Sequence, residues 1–245
     1  MENIRQKRIL LTGGTAGIGR ATALLLLEIG CHVTVIGRDA SKLDELIFET
    51  SRANYTGILR GILVDITDEP ALNLVLQSYL KTNGCPDVLI NNAGIGYDSV
   101  LKKERVSLEY LVRTNLWSYM WLSGRIAQQM IDLGIEGDIV NVGSLSANTR
   151  DKDSSAYVAT KSGIQGFTES FRKEVNPHNI RVTLIEPGAV GTDMQPTRPD
   201  EEHELQQKLE MLKPEDIAQV VLFALQQPRR INISEIRVKP LRQFI

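Results

Sequence analysis

The chain is poor in the residues that staple or metallate small proteins. It holds two cysteines, Cys31 and Cys85, without a CxxC spacing, and three scattered histidines, His32, His178 and His203. Neither a disulfide framework nor a zinc site is readable in that set, no metal is expected, and a reducing compartment fits. Aromatic residues are only 5% of the sequence, and the net charge is only -2 with a pI near 6.0. Such a balance gives no global attraction to nucleic acid or to an anionic membrane. Long hydrophobic runs are lacking too. The greasiest stretch, ALLLL at 23–27, falls inside an amphipathic pattern and is far below the ~18 apolar residues of a membrane span. The leading MENIRQKRILLTGG shows no apolar stretch of signal-peptide length. We therefore expect a cytoplasmic protein with neither nucleic acid nor membrane as partner.

What is present is a rhythm. With 245 residues, 42% of them hydrophobic, the chain can bury the core of one large α/β domain spanning 1–245. Short apolar runs stand at 9–12, 32–36, 61–64, 87–90, 138–142, 181–185 and 235–239. Continuous β-branched runs of this kind belong to parallel strands covered on both faces. Between them, 17–29, 41–50, 70–81, 106–133, 155–175 and 214–226 read as helices. Ser41 and Asp44 suit a capping box, Gly30 a C-cap, and Pro70 and Pro214 first-turn positions. Repeated βα units with right-handed crossovers predict an α/β, Rossmann-type, doubly wound, seven-stranded parallel sheet with helices on both faces. One segment breaks the rhythm: 191–213, charged and proline-bearing, is an insertion after the sixth strand and a candidate substrate loop.

The first strand runs into TGGTAGIG, residues 12–19, which opens the first helix. Glycines there let the backbone turn tightly and approach a pyrophosphate, while the helix N-terminus offers unpaired N–H groups. Gly13, Thr15, Ala16, Gly17, Ile18 and Gly19 are the candidate contributors. At the end of the second strand the sequence is HVTVIGRDAS, with Gly37 where a ribose-binding carboxylate would stand and Arg38 next to it. An arginine there accommodates the 2′-phosphate of NADP, so NADP(H) is expected in preference to NAD(H), which stays possible. The competing reading gives the ribose to Asp39; that residue suits a helix cap better.

Tyr157 and Lys161 stand four residues apart in SSAYVATKSG, with Ser144 thirteen residues before the tyrosine. On a helix, i and i+4 share a face, so the ammonium lies near the phenol. A neighbouring cation favours phenolate and lowers the phenol from its ordinary ~10 toward the range of a general acid/base.

With TGGTAGIG, NNAG at 91–94, Asn115, Ser144, Tyr157-x-x-x-Lys161 and Pro187-Gly188 in this order, the chain resembles the short-chain dehydrogenase/reductases over essentially its whole length. The resemblance implies catalytic roles for Asn115, Ser144, Tyr157 and Lys161. Tyr157 would exchange a proton with the substrate oxygen, Lys161 would hold the nicotinamide ribose, Ser144 would bind the carbonyl oxygen, and Asn115 would hold a relaying water. It also implies cofactor contacts from Asp65, Ile66, Asn92, Ala93, Gly94, Pro187, Gly188, Val190 and Thr192, with Asn91 and Ile185 beside them. Many members carry a second serine where this chain has Gly143. The carboxyl-terminal stretch is loosely similar to the branch of 3-hydroxy acid dehydrogenases and clavulanate-type aldehyde reductases.

These features lead us to expect an NADP(H)-dependent oxidoreductase interconverting an alcohol with a ketone or aldehyde, its partner a small-molecule carbonyl or alcohol substrate. The family resemblance implies a homodimer or homotetramer, in which the helix bearing Trp117 and Trp121 contributes to the subunit interface. Two other readings are a dinucleotide-binding regulator or scaffold without catalysis, and a sugar-nucleotide epimerase. The intact Tyr157 and Lys161 count against the first, and the short stretch after the insertion counts against the second. Residues 95–101, 145–155 and 191–213 would shape the substrate pocket.

Overall fold

The computed structural model describes residues 2–97, 99–101, 106–194 and 198–243. Seven strands form one parallel sheet in the order β3-β2-β1-β4-β5-β6-β7. They are β1 (Arg8–Thr12), β2 (His32–Gly37), β3 (Ile58–Leu63), β4 (Val88–Asn91), β5 (Asp138–Val142), β6 (Arg181–Pro187) and β7 (Glu235–Val238). The direction of winding reverses between β1 and β4, whose pairing sets Leu10 against Leu89. A reversal of this kind opens a crevice at the carboxyl ends of the strands.

The helices α1 (Gly17–Ile29), α2 (Ala40–Arg52) and α9 (Pro214–Leu225) and α3 (Glu69–Asn83), α5 (Ser118–Leu133) and α7 (Ser155–Val175) sandwich the sheet. Alternation along β1 shows why both faces must be covered. Ile9 and Leu11 enter a core with Leu26, Leu46 and Val221, whereas Leu10 enters the opposite core with Leu72, Leu89, Ile126 and Val182. Each fully buried aliphatic chain of this size contributes roughly 1.5–3 kcal/mol relative to exposure. Helix α1 ends at Gly30 in the left-handed region, φ 101°, where a residue without Cβ is unstrained.

Four sequence expectations about the elements need correction. The third strand begins at Ile58, not 61, because all six residues of β2 find a partner there, from His32 with Ile58 to Gly37 with Leu63. As an edge strand it is not covered on both faces: Ile58 and Leu63 are about half exposed, and β7 at the other edge alternates in the same way. Helix α2 starts at Ala40, and its cap is Asp39, whose Oδ1 accepts from Lys42 N at 3.2 Å, rather than a Ser41–Asp44 box. The long helix starts at 108, not 106, because Ser107 Oγ caps α4 (Leu108–Val112) by accepting from Tyr110 N at 3.1 Å. It then widens into a π-turn over Arg113–Trp117 before continuing as α5. Hydrophobic periodicity gives no sign of that extra residue.

After β6 the chain leaves at Val190 and returns at Leu212, the two joined by a parallel bridge. The excursion carries α8 (Pro199–Gln207) on the surface. Residues 98 and 195–197, within the expected substrate loops, lie outside the described residues.

Candidate active site

A cleft of ≈ 740 Å³ runs along the carboxyl ends of the strands. One wall is the turn between β1 and α1. Gly13 and Gly17 adopt left-handed φ of 66° and 49°, and a Cβ on Gly13 would stand 2.7 Å from Ala93 Cα. Side-chain bonds lock this turn to the one after β4. Thr12 Oγ1 accepts from Asn92 N at 3.0 Å and Ala93 N at 3.1 Å, and Asn92 Nδ2 donates to Gly13 O at 3.0 Å. No side chain caps α1 at Ala16, so the first N–H groups of the helix remain available to an anion.

Thr15, Ala16, Gly17 and Ile18 line the cleft together with Arg38, Asp65, Ile66, Asn92, Ala93 and Gly94. Gly19 does not. A Cβ on it would meet Gly13 O at 2.1 Å and Asn92 Nδ2 at 2.5 Å, so its part is close packing behind the loop, not contact with a ligand. Asn91 likewise turns into the core, donating to Asn141 Oδ1 at 2.9 Å and Ser123 Oγ at 3.0 Å, and Ile185 is wholly buried.

At the end of β2 a side chain on Gly37 would run into Thr15 Cγ2, 2.8 Å from the Cβ position, so a carboxylate there would displace the glycine-rich turn. Arg38 donates from Nη1 to the Tyr110 hydroxyl, which donates in turn to Asp65 Oδ2 at 2.7 Å. Burial pushes the Asp65 carboxyl upward, but hydrogen bonds from Thr67 N–H, Tyr110 and the Thr67 hydroxyl outweigh it and hold the group below its ordinary range. Lys42 forms an ion pair with Asp193 across the mouth of the cleft. Sequence reasoning missed both Tyr110, 72 residues from Arg38, and Lys42. The lysine, in the first turn of the helix after Arg38, was the readable one.

The other end of the cleft gathers Ser144, Tyr157, Lys161, Pro187, Gly188, Val190 and Thr192. Ser144 follows β5; its Oγ donates to Ser146 Oγ at 3.1 Å and accepts from Ser146 N at 3.2 Å. Tyr157 and Lys161 share the inner face of α7, with Nζ 5.7 Å from the phenol ring centroid. Lys161 is 3% exposed and donates to Val142 O at 3.1 Å. Burial lowers its ammonium to about 8, opposed by the Glu186 carboxylate. The expected lowering of the tyrosine is not what this arrangement produces. Burial pushes the Tyr157 phenol above its ordinary range, with the Ser144 hydroxyl pulling against it; Lys161 donates to a backbone carbonyl, Val142 O, rather than to the phenol.

Asn115 does not line the cleft. It sits at the centre of the π-turn, fully buried, with Oδ1 accepting from Ile95 N and Nδ2 donating to Ile95 O, both at 2.9 Å. It ties the helix to the strand-end turn that carries Gly94, where a Cβ would stand 3.6 Å from Asn115 Oδ1 and 3.8 Å from Lys161 Nζ. Trp117 and Trp121 are half-buried and packed on the core, their rings 5.9 Å apart. Leu145, Thr149 and Asp151 also face the cleft.

Fold, crevice and glycine turn together define a Rossmann-type dinucleotide-binding protein. The residues present fit such a group: a backbone cradle with open N–H donors at one end, and a hydroxyl, a phenol and a buried ammonium at the other.

The family model described as short chain dehydrogenase matches residues 7–203, and the chain belongs to the short-chain dehydrogenase family. An uncharacterized oxidoreductase of Staphylococcus saprophyticus is 29% identical over 242 residues, covering 98% of this chain and 100% of its own. One from Staphylococcus aureus is likewise 29% identical over 242 residues. Among solved structures, a metagenomic short-chain oxidoreductase in complex with NADP superimposes with a TM-score of 0.82 at 28% identity, covering 98% of this chain and 99% of that one. A 4-hydroxyisoleucine dehydrogenase complexed with NADH gives 0.83 at 25%, with 96% and 97% covered. The chain is thus an oxidoreductase of this family with a nicotinamide dinucleotide cofactor. Among the described residues no helix is long and apolar enough to cross a membrane.

Proposed function

We propose that this chain folds as a single domain and is an NADP(H)-dependent oxidoreductase interconverting an alcohol with a ketone or aldehyde, with Tyr157 as the acid/base. The observation that carries this reading is the convergence of Ser144, Tyr157 and Lys161 at one end of the cleft whose other end presents the glycine turn and Arg38. The cofactor supplies the hydride when bound. The protein supplies the rest. In reduction Tyr157 gives its hydroxyl proton to the developing alkoxide, Ser144 donates a hydrogen bond to the same oxygen, and Lys161 stabilises the charge on the phenol side. Asn115 fixes the Ile95 backbone against the helix.

NADP(H) is favoured over NAD(H) by three contacts at the end of β2: Gly37 pressed against Thr15, Asp39 engaged as a helix cap, and Arg38 facing the cleft with Lys42 beside it. The similar structures hold both NADP and NADH, so the preference rests on these residues. We place the enzyme in the cytoplasm as a homodimer or homotetramer, with a small-molecule partner and neither nucleic acid nor membrane. A panel of hydroxy acids, aldehydes, diketones and sugars, assayed in both directions with NADPH/NADP and NADH/NAD, tests the reading. Turnover of at least one carbonyl with NADPH in preference to NADH is expected. Binding of NADPH without consumption across the whole panel would favour a non-catalytic regulator or scaffold instead.

A further inference from the structure

Beneath the reaction end of the cleft lies a carboxylate that the reading above does not use. Glu186, in β6, is fully buried at 0% exposure. Its Oε2 accepts from Asn148 Nδ2 at 2.9 Å and from Arg237 Nε at 3.1 Å, while Oε1 is buried without a hydrogen-bond partner. Arg237 supplies one positive charge at Oε2 but is shared with Glu235, so a buried carboxylate with a bare Oε1 gains further from a second cation nearby.

Its surroundings point to Lys161. The Glu186 side chain and the Lys161 ammonium flank the same peptide: Lys161 Nζ donates to Val142 O at 3.1 Å, and Glu186 Cγ lies 3.3 Å from where a Cβ on Gly143 would stand. Glycine at 143 therefore leaves the room that Glu186 occupies. Asn148, the second contact, belongs to α6 (Ser146–Thr149), which starts two residues after Ser144. The Ser144 turn is itself hung on β6, with Gly143 N donating to Ile185 O at 2.7 Å and Leu145 N to Pro187 O at 2.9 Å.

We propose that Glu186 is a positioning residue for the reaction: the buried counter-charge of Lys161 and, through Asn148, an anchor of the turn that presents Ser144. The groups facing Lys161 are Tyr157 on its own helix, Tyr119 of α5 with its ring centroid 5.8 Å away, and Glu186 of β6. Those facing Glu186 are Asn148 of α6 and the Arg237–Glu235 ion pair of β7. Glu186 is the carboxylate that shares the Val142–Gly143 peptide with the Lys161 ammonium. It favours the protonated ammonium, and burial opposes it.

The inference rests on the proposed oxidoreductase reading, so the test separates the two. Reduction by NADPH of the carbonyl that the wild type turns over best is followed from pH 6 to 10 in the wild type, Glu186→Gln, Asn148→Ala and Arg237→Gln, with NADPH binding measured by fluorescence. Reduction needs the protonated lysine, so its rate falls as pH rises through the titration of Lys161. Glu186→Gln moves that fall to lower pH by about one unit, a loss of about tenfold near pH 8.5 and of less than about twofold near pH 6.5, and leaves NADPH affinity unchanged. Arg237→Gln, on a half-exposed side chain, removes a competing cation and moves the fall upward; it stands in should Glu186→Gln fail to fold. Asn148→Ala lowers kcat without moving the fall. Superimposable pH profiles for the wild type, Glu186→Gln and Arg237→Gln would overturn the counter-charge role while leaving the enzyme reading intact. No wild-type turnover of any carbonyl would defeat the reading beneath it.

Discussion

At the adenosine end of the cleft the working surface is made by leaving side chains out, whereas at the Tyr157 end it is made by burying polar ones. Gly13 brings the turn after β1 against the Ala93 backbone, Gly19 packs on Gly13 O, and Gly17 leaves room for the Thr192 side chain. Lys161, Asn115 and Glu186 are instead ionisable or amide groups inside the protein, held by hydrogen bonds to a neighbouring backbone or side chain. The first strategy offers a shape and a set of N–H donors to an anion. The second stores charge and hydrogen-bonding capacity in a low dielectric, where it acts strongly on a reacting oxygen. On the proposed function, binding would fall mainly to one end and chemistry to the other.

Substitutions can break that division. At the binding end the largest effect is expected from Gly19→Ala, whose methyl would meet Gly13 O at 2.1 Å. The turn must shift, and we expect a loss of roughly 1–3 kcal/mol in stability and about a hundredfold in NADPH affinity, near 2.7 kcal/mol. Melting and fluorescence titration check both. If Gly19→Ala bound NADPH like the wild type, the packing account of this end would be wrong.

Arg38→Ala sharpens the comparison within the binding end. Loss of a charge-assisted contact to a phosphate is worth about 1.5–3 kcal/mol, so NADPH affinity should fall by roughly ten- to a hundredfold while NADH affinity changes by less than about twofold. Equal losses for the two cofactors would remove the phosphate role from Arg38.

The smallest effect is one of pH and belongs to the chemical end. The Lys161 ammonium is lowered by burial to about 8, and the protonated form is the one that supports proton delivery in reduction. The rate of reduction should hold below pH 7 and decline above pH 8, approaching tenfold per unit. Binding of NADPH, governed by the other end, should follow a different profile. A rate that rises through this window would contradict the assignment.

How much of this was legible beforehand differs between the two ends for the same physical reason. Glycine positions and strand–turn–helix order are local in sequence, so TGGTAGIG, the NNAG turn and the Tyr157–Lys161 spacing marked their places. The parallel, doubly wound character of the sheet followed from short apolar runs alternating with helices. Contacts that depend on elements distant in the chain carried no such mark. Tyr110 reaches Arg38 and Asp65 only because α4 folds over the end of β2, and Glu186 reads as an ordinary strand residue until α6 and β7 close on it. The third strand misled for a related reason: its apolar run at 61–64 resembles a buried one, although the outermost position in a sheet leaves one side open. The phenol showed the limit of spacing most clearly. Four residues bring Lys161 to the face of Tyr157, yet its ammonium points to Val142 O, and burial alone moves the phenol upward.

The division of labour is tested most directly by Tyr157→Phe, which removes one hydroxyl and leaves the ring in the cleft wall. NADPH affinity and turnover of the best carbonyl substrate are measured on the same preparation. The account predicts affinity within about threefold of the wild type and a turnover lower by about 10²- to 10⁴-fold, the contribution of a positioned acid. Turnover within about tenfold of the wild type, with binding intact, would contradict it.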